Sequence, residues 1–273
     1  MLSLRSLGFY CYFQALCIGL KSILAGDARN GLKLLGASVG YWRFLPNALV
    51  LRLVRQNKPE RILDVSSPKL LSLILSADHD VLALDLDDPQ LEIRWAKTAR
   101  ILGHTRFSHR YENACQLHIA DASYPFVYSL SVIEHIPGDG DTRAMREIAR
   151  VLTPGGKALI EVPLRYEHTD VFRKYDSKGF ALPQAQFYER LYSPESISRL
   201  RIPELRLIGE WAMGEFLPFD PWIAGPRLPR LLRLAALPFE PFLGAWNMWL
   251  EAKPGRARPL SMILLFEKPK TEQ

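Results

Sequence analysis

The chain has 273 residues, of which 48% are hydrophobic and 23% are charged. This balance is typical of a packed globular protein and excludes an intrinsically disordered chain; the length suffices for one large α/β domain with additions or for two modest domains. The formal net charge of +6 suits an anionic membrane surface or an acidic ligand. No block of like charges and no aromatic RNA-binding motif accompanies it, so nucleic acid is not an expected partner.

Cysteine usage and the N-terminal segment bear on the compartment. No two of Cys11, Cys17 and Cys115 form a CxxC pair, so we expect neither a disulfide framework nor a zinc site, and a reducing, cytoplasmic environment is the default. Arg5 precedes the uncharged run SLGFYCYFQALCIGL, as in a signal peptide, but Lys21 follows soon afterwards. The run is also too short to span a bilayer, so we predict a helix that packs on the main domain or lies on a membrane surface.

Residues 1–58 predict an N-terminal helical segment. Breaks are expected at Gly26–Gly31 and at Pro46. Pro59 ends the last helical pattern, NALVLRLVRQNK, which has a broad apolar face.

From residue 60 onwards, short apolar runs alternate with helical patterns. The expected strands are RILDV, DVLALDLDD, RFSHRYEN, FVYSLSVIEHI and KALIEVP. The expected helices are KLLSLILSA, Pro89–Leu102 and DTRAMREIARVL, the last with Asp141 or Thr142 as its N-cap. Strands that alternate with helices form right-handed βαβ units, so the sequence predicts a mostly parallel sheet in a core over residues 59–210.

The segment after Pro163 is less regular. It begins with a long polar and aromatic stretch, predicted as a loop, in which Tyr166, His168 and Asp170 would belong either to a substrate lid or to a solvated loop. SPESISRL then predicts a helix capped by Ser193. ELRLIGE and PLSMILLFEK are the last two expected strands.

Residues 211–258 separate those two strands and are rich in proline, leucine and tryptophan. Arg227, Arg230 and Arg233 fall on one side of a helical pattern and leucines on another, which is the composition of a helix that lies in a membrane interface. A lid packed on the core of the domain, with its arginines exposed, explains the same pattern. In either case we expect a hydrophobic insertion, followed by the last strand of the core and a tail over 259–273.

Two acids mark the ends of the first two expected strands. Asp64 and Asp85 are 21 residues apart (85 − 64), which fits a βαβ unit whose second strand ends in an acid. Ligands of open α/β sheets bind at the carboxyl ends of the strands. An ionised carboxylate accepts hydrogen bonds with both oxygens, so Asp85 is placed to bind the two hydroxyls of an adenosine ribose.

The stretch VYSLSVIEHIPGDGDTRAMREIARVLTPGGKALIEVP is the most specific signal in the chain. It resembles the fourth strand, the following helix and the fifth strand of the class I S-adenosylmethionine (SAM)-dependent methyltransferases of the type 11 branch, most clearly at Arg150–Gly156 (RVLTPGG). The resemblance extends over Arg61–Pro163. It implies a Rossmann-like methyltransferase fold with a mostly parallel seven-stranded sheet and an antiparallel last strand. It also implies SAM as the cofactor and a small-molecule acceptor, and the hydrophobic insertion over 211–258 favours a lipid-like one.

The sequence departs from that family at two places. The glycine-rich loop after the first strand is DVSSPKL here, with Ser66, Pro68 and Leu70 where the family has glycines. The acid that meets the adenine amino group in the family aligns with Asn113, which can still accept a hydrogen bond from an exocyclic amine. Asp121 is the alternative, although it falls in a connecting loop.

Carried over by position, the resemblance implies these cofactor-contacting residues: Asp64, Val65, Ser66, Ser67, Asp85, Leu86, Asn113, Ala114, Ser129 and Glu134. His135, at the end of the fourth strand, is the candidate catalytic base, with a structural role as its alternative. A methyltransferase fold kept as a binding module without catalysis is the alternative function. The absence of GxGxxG after the first strand disfavours a nicotinamide-dependent oxidoreductase.

Overall fold

The computed structural model describes residues 2–36, 38–86, 89–175, 181–219, 229–251 and 258–270, without the side chains of residues 89–92, 230, 233 and 234. The chain begins with helices α1 to α3, numbered in chain order: Leu4–Leu24, Ala28–Gly36 and Phe44–Asn57. A 3₁₀ turn, Tyr41–Arg43, leads into α3. The N-terminal segment is therefore helical, as predicted.

Of the chain breaks predicted in this segment, the one at Gly26 is present, whereas Gly31 and Pro46 lie inside helices. Gly26, with φ 83°, lies at the break between α1 and α2. Gly31 lies inside α2, where the lack of a side chain lets α2 approach α1: a Cβ there would lie 2.5 Å from the Gly19 carbonyl oxygen. Pro46 does not break the chain but lies in the first turn of α3, where the N–H that proline lacks would have no helical partner.

Helix α1 is longer than the apolar run suggested. Its 21 residues are long and apolar enough to cross a membrane by length and composition alone, so the prediction that the run is too short was wrong. In the structure 39% of its most apolar window is buried, and Leu7, Cys11, Ala15 and Ile18 belong to the core of the domain. One of the two arrangements predicted for α1, packing on the main domain, is thus present.

The strands, also numbered in chain order, are β1 Arg61–Asp64, β2 Asp80–Asp85, β3 Phe107–Tyr111, β4 Tyr124–Leu130, β5 Leu152–Pro163, β6 Thr169–Tyr175, β7 Ala181–Leu191, β8 Arg206–Glu215, β9 Met248–Glu251 and β10 Arg258–Glu267. One sheet has the order β3-β2-β1-β4-β5-β10-β8-β9, and β6 and β7 form a separate hairpin. Strands β1 to β5 pair in parallel, whereas β10 is antiparallel to both of its neighbours. The predicted Rossmann-like fold with an antiparallel last strand is confirmed, and β9 adds an eighth strand because the insertion folds back onto β8.

Between the parallel strands lie α4 Lys69–Leu75, α5 Pro89–Leu102 and α6 Gly140–Val151. The bounds of α5 are those predicted. The N-cap of α6 is Asp139, without a side-chain capping bond, so the predicted cap at Asp141 or Thr142 was wrong. Asp141 lies within the first turn, and its carboxylate is taken up by tertiary contacts.

The stretch predicted as a loop after β5 contains the β6–β7 hairpin. Asp141 anchors its base, since Arg190 lies 2.9 Å from the carboxylate and the Tyr192 hydroxyl donates to it at 2.9 Å. Arg199, from the 3₁₀ turn Ser196–Leu200, also pairs with Asp141; this turn replaces the helix predicted for SPESISRL. Most side chains of β6 and β7 are exposed, so no alternation of apolar residues marks these strands in the sequence.

The insertion begins inside the sheet, because β8 continues to Glu215. Its described helices are α7 Arg230–Ala236 and α8 Glu240–Asn247, joined by a 3₁₀ turn, Leu237–Phe239. Arg227 and the side chains of Arg230 and Arg233 lie outside the described residues. The predicted arginine face therefore lies outside them as well.

Buried polar contacts join the insertion to the N-terminal helices. The Tyr41 hydroxyl donates to Glu215 at 2.9 Å and accepts from the Asn247 amide at 2.7 Å. Glu240 accepts from the Tyr41 amide at 3.0 Å. Helix α8 also packs against α1 and α3, so the insertion and the N-terminal helices pack together on one side of the sheet.

Consecutive side chains along the parallel strands point to opposite faces of the sheet. Leu63 and Val127 belong to the core that contains α6, whereas Ile62 and Phe126 belong to the core that contains α1, α3 and α4. The carboxyl ends of β1, β2 and β4 therefore open between two packed helical layers.

Candidate active site

A cavity of about 600 Å³ lies at the carboxyl ends of β1 to β4. Its size is typical of small-molecule sites, and this is the edge at which open α/β sheets bind ligands. The loops after the four strands supply one part of the wall, and α2, the 3₁₀ turn before α3 and α5 supply the rest: Asn30, Lys33, Leu34, Ser38, Arg43, Ser66, Ser67, Pro68, Lys69, Leu70, Asp85, Leu86, Arg94, Trp95, Asn113, Ala114, Ser131, Val132, His135, Ile136 and Pro137.

The predicted site residues divide into two groups. Those that line the cavity are Ser66, Ser67, Asp85, Leu86, Asn113, Ala114 and the candidate base His135. The others lie behind its wall and are at most 1% exposed: Asp64, Val65, Ser129 and Glu134. The structure thus places the first group around one cavity, whereas the second group lies beneath the cavity wall and supports it.

Asp64 supports the loop that follows β1. Its carboxylate accepts hydrogen bonds from the Ser67 amide at 2.8 Å and from the Ser72 hydroxyl. Burial raises the pKa of Asp64 above its ordinary value, and the charge of Lys69 opposes that rise. Asp64 therefore holds the path of the loop from beneath, without lining the cavity itself.

Val65 and Ser129 join the ends of β1 and β4. The Val65 amide donates to the Tyr128 carbonyl oxygen at 2.9 Å, and the Ser129 hydroxyl donates to the Val65 carbonyl oxygen at 3.1 Å. Both residues are fully buried, so they keep the two strand ends in register below the cavity.

Ser66 keeps a backbone conformation that favours glycine. Its φ is 60°, in the left-handed region, which costs a residue with a Cβ about 1–2 kcal/mol. The loop thus turns sharply at a position where the related family has glycine, and Ser66 lines the cavity. The next departure, Pro68, is the N-cap of α4 rather than its first residue, and Leu70 lies in the first turn.

Lys69 is a site residue that the sequence analysis missed. It is 3% exposed, and its ammonium lies 3.6 Å from the Asp64 carboxylate and 3.7 Å from that of Asp85. It also donates to the carbonyl oxygens of Ser67 at 2.8 Å and Leu84 at 2.6 Å. The lysine therefore joins both strand-end acids in one buried cluster. Within KLLSLILSA it reads as an ordinary first residue of a helix, so no local signal distinguishes it.

Asp85 and Asn113 lie at the ends of the adjacent strands β2 and β3, and both line the cavity. The Asn113 side-chain oxygen already accepts a hydrogen bond from the Cys115 amide at 2.9 Å; a carbonyl oxygen has a second lone pair for a ligand amine. The alternative residue, Asp121, is absent from the described lining and pairs with Arg150 at 2.6 Å. Geometry thus favours Asn113 over Asp121 as a ligand contact.

His135 lines the cavity from the 3₁₀ turn Ile133–His135 after β4. Its Nδ1 lies 2.7 Å from the Tyr188 carbonyl oxygen of the β6–β7 hairpin. Because a carbonyl oxygen only accepts, Nδ1 carries the proton of the neutral ring and Nε2 carries the lone pair. The hairpin therefore selects the tautomer that leaves Nε2 free to accept a proton.

Two buried carboxyl groups lie behind His135. Burial raises the pKa of Glu134 well above its ordinary value, and the charge of Glu161 adds to the rise. Glu134 Oε2 has no hydrogen-bond partner among the described residues, and Oε1 lies 3.7 Å from His135 Nε2. Glu161, by contrast, accepts from the Ser131 hydroxyl at 2.7 Å and lies 3.5 Å from Arg43. Glu161 is thus the charge-paired member, and Glu134 is held toward its protonated form.

The cavity wall carries more positive than negative charge. Lys33, Arg43, Lys69 and Arg94 line it, and Asp85 is the acid among the described lining residues. Arg43 is held at the end of β4 by donating to the Leu130 carbonyl oxygen at 2.8 Å. Except for Lys69, these cations come from the N-terminal segment and α5, and only packing shows that they face the site.

Of the residues considered as lid candidates, His168 and Asp170 contact each other and the base of the hairpin, whereas Tyr166 is solvent-exposed. Tyr166, His168 and Asp170 are absent from the described lining. His168 lies 3.6 Å from Asp170, which lies 3.3 Å from Arg190 at the base of the hairpin. Tyr166 is 71% exposed. Over the described part of the chain, no group of three or more His, Cys, Asp or Glu side chains is placed to hold a metal ion.

Comparison with known proteins agrees with this fold. Residues 64–160 match the family model described as a methyltransferase domain. Similar solved structures include a SAM-dependent methyltransferase from Methanosarcina mazei (14% identity, 77% of this chain, 92% of that chain, TM-score 0.52). Another is coclaurine N-methyltransferase bound to N-methylheliamine and SAH (11% identity, 83% of this chain, 74% of that chain, TM-score 0.54). A third is the [4+2]-cyclase SpnF (18% identity, 84% of this chain, 83% of that chain, TM-score 0.53). At these identities the similarity shows the fold alone.

The sheet order, the antiparallel last strand and the cavity at the carboxyl ends of β1 to β4 define a class I methyltransferase fold. Within that class, residues 64–160 match the methyltransferase domain model of the type 11 branch, and the resemblance stated from the sequence is confirmed.

Proposed function

We propose that the protein is a SAM-dependent methyltransferase that binds its cofactor in the cavity at the ends of β1 to β4 and methylates a small-molecule or lipid-like acceptor. The observation that carries the proposal is that Asp85 and Asn113 line this cavity together, on adjacent strands of a methyltransferase domain. Bound SAM would supply a methyl group on an activated sulfonium, so the protein's part is to position the acceptor and exclude water.

The lining residues fit such a cofactor. Asp85 would accept hydrogen bonds from the ribose hydroxyls, Asn113 would accept one from the adenine amine, and Ser66 and Ser67 would offer the backbone of their loop. The φ of 60° at Ser66 supports this fit, because the loop retains a turn of the glycine kind without its glycines. The Lys69 ammonium lies 3.7 Å from the Asp85 carboxylate and helps to hold it beside the cavity.

His135 is the proposed base for acceptors whose reacting group carries a proton. The Tyr188 carbonyl oxygen orients the ring, and Nε2 receives the proton that the acceptor loses. A base is needed when the pKa of the acceptor group is high, so the effect of replacing His135 depends on the acceptor. Replacement by Asn should lower kcat with little change in KM, while the exposed His118, which pairs with Glu112 outside the described cavity lining, provides a control.

A lipid-like acceptor is supported by the surroundings of the cavity. Exposed apolar side chains of the insertion include Leu231, Leu232 and Phe239. The 3₁₀ turn that contains Phe239 packs against α2, and α2 lines the cavity. Peripheral contact with a membrane is part of the same proposal.

A binding module without catalysis is the second candidate. It is favoured by Ser66, Pro68 and Leu70 in place of glycines and by the buried Lys69 next to Asp85. The similar fold of SpnF, described as a [4+2]-cyclase, shows that this architecture also serves proteins of another description.

Calorimetric titration with SAM and S-adenosylhomocysteine tests the common part of both candidates. Asp85→Ala should weaken binding by about 1.5–3 kcal/mol, because it removes charge-assisted hydrogen bonds. Asp80→Ala is the matched control, since Asp80 lies at the opposite end of β2 and its side chain is 57% exposed. No binding, or equal affinity of both variants, would contradict the cofactor site.

Incubation with labelled SAM and extracts of the source cells separates the two candidates. Labelled product supports the enzyme, and dependence of that product on His135 supports the role of His135 as the base. Binding of SAM without any labelled product across polar and lipid fractions supports the binding module.

A further inference from the structure

Helix α1 carries two apolar stripes. One faces inward and is buried: Leu7, Cys11, Ala15 and Ile18. The other repeats at the same helical spacing on the outer side and is exposed: Tyr10 (37%), Phe13 (57%), Leu20 (54%) and Leu24 (79%), with Cys17 between them. A helix that is apolar on all sides is normally covered on all sides, yet the described residues of the chain leave this outer stripe uncovered.

Aromatic residues of the insertion extend the stripe. The Tyr12 ring lies 5.5 Å from the rings of both Phe13 and Phe242, and Phe242 is itself 48% exposed. Trp246 follows one turn later on α8 and is 62% exposed. We call this surface the aromatic face and define it as Tyr10, Phe13, Leu20, Leu24, Phe242 and Trp246. Exposed apolar side chains gathered from two distant parts of a chain mark an interaction site.

The charge around the aromatic face is positive. The Arg5 guanidinium lies 4.5 Å from the Trp249 ring, the Arg55 guanidinium lies 4.8 Å from the Tyr10 ring, and Lys21 is exposed on α1. Residues 1–59 contain eight lysines and arginines and a single acid, Asp27. That acid is paired with Lys97 at 3.4 Å.

We propose that the aromatic face docks the protein onto an anionic lipid bilayer, with α1 lying in the plane of the interface. Tyrosine and tryptophan prefer this depth of a membrane, and a cationic rim attracts anionic headgroups. A second copy of the chain fits less well, because like charges would meet across the contact. Crossing of the membrane by α1 fits less well too, because it would withdraw the inward stripe from the core.

Docking in this orientation would place the cavity close to the lipid surface. Helix α2 packs against α1 and lines the cavity through Asn30, Lys33 and Leu34. Docking through α1 deepens the peripheral membrane contact of the proposed function, and delivery of a bilayer-resident acceptor to the cavity rests on that function.

The native Cys17 offers a direct probe. In a Cys115→Ser background, a polarity-sensitive fluorophore would react with the exposed Cys17, because Cys11 is buried. We expect a blue shift and co-sedimentation with vesicles of phosphatidylcholine and phosphatidylglycerol. Binding should weaken with vesicles of phosphatidylcholine alone and with added salt.

The double variant Phe13→Glu/Leu20→Glu should lower partitioning onto the mixed vesicles by about ten-fold or more, since two apolar side chains no longer enter the interface. Phe172→Glu is the matched control: Phe172 is 58% exposed on the β6–β7 hairpin, and its variant should bind as the unmodified protein does. Calorimetry with SAM on the same proteins reports the cofactor site separately. The proposal is overturned by absence of binding to the mixed vesicles at low salt, by equal binding of the double variant, or by a lipid-free dimer that the double variant abolishes.

Discussion

Replacement of Lys69 by methionine would test the buried charge cluster below the cavity. The change keeps a long apolar side chain but removes an ammonium 3.6 Å from Asp64 and 3.7 Å from Asp85. Asp85 borders the cavity and can be reached by water, whereas Asp64 is 0% exposed. The main consequence therefore falls on Asp64, which loses the cation that opposes its desolvation.

The size of the effect follows from protonation. A buried carboxylate without a cation takes up a proton rather than staying charged. At pH 7, protonating a carboxyl group whose pKa in the unfolded chain is about 3.9 costs about 4 kcal/mol, from 1.36 × (7 − 3.9). The usual cost of breaking a buried ion pair, about 3–5 kcal/mol, agrees. Because the pKa of Asp64 is already raised in the unmodified protein, this cost is an upper limit. We expect Lys69→Met to lower the free energy of unfolding by at most about 4 kcal/mol, still a large part of the stability of an ordinary domain.

The pH dependence distinguishes this mechanism from a packing defect. In the variant the pKa of Asp64 is raised further in the folded state, so the folded protein binds a proton that the unfolded chain has released. Stability then falls as pH rises, by about 1.4 kcal/mol per pH unit, and about 2.7 kcal/mol should return between pH 7 and pH 5. In the unmodified protein the shift of Asp64 has the same direction but is opposed by Lys69, so the dependence should be weaker.

Urea unfolding followed by circular dichroism at pH 5 and pH 7 measures these quantities. The control is Asp64→Asn, alone and combined with Lys69→Met. In the double variant the carboxyl group is gone, so the pH dependence that Lys69→Met adds should vanish and part of the stability should return. A loss below about 1 kcal/mol in the single variant, or an equal loss at both pH values, would refute the charge argument.

Three further outcomes are expected. Gly31→Ala should destabilise the protein by about 1–3 kcal/mol in urea unfolding, because its Cβ would lie 2.5 Å from the backbone of α1. Gly36→Ala is the control and should be neutral, because no atom of the described residues lies within 4 Å of the added Cβ. Equal losses in the two variants would contradict the argument. Ser66→Gly should relieve the left-handed conformation at φ 60° and leave stability and SAM affinity within about 1 kcal/mol of the original, whereas a marked loss of affinity would assign the hydroxyl a binding role. Burial acts to raise the pKa of Asp141, but the hydrogen bond from Arg199 and other contacts lower it below its ordinary value. Asp141→Asn should therefore cost stability at pH 7, and the difference from the unmodified protein should fade as pH drops below about 4. A difference that stays constant with pH would show that charge is not involved.

Some of the molecule could be predicted because its signals are local. The helix Pro89–Leu102 and the strand ends at Asp64 and Asp85 follow from apolar period and spacing, and the structure has them at those positions. The hairpin β6–β7 could not be predicted in this way, because its exposed strands carry no apolar alternation and its base is held by contacts to Asp141. Those contacts join residues that are about fifty positions apart in the chain.

The sequence by itself determined the order of strands and helices from β1 to β5 and the acids at the ends of the first strands, because these depend on side-chain period and on neighbours in the chain. Only the tertiary structure decided that Arg43 and Arg94 face the cavity, that Lys69 lies between Asp64 and Asp85, and that Asp64 is covered. It also decided which apolar stripe of α1 meets the core. Both stripes have the same helical period and similar composition, so the choice depends on which side the rest of the chain packs against, and that information is not local.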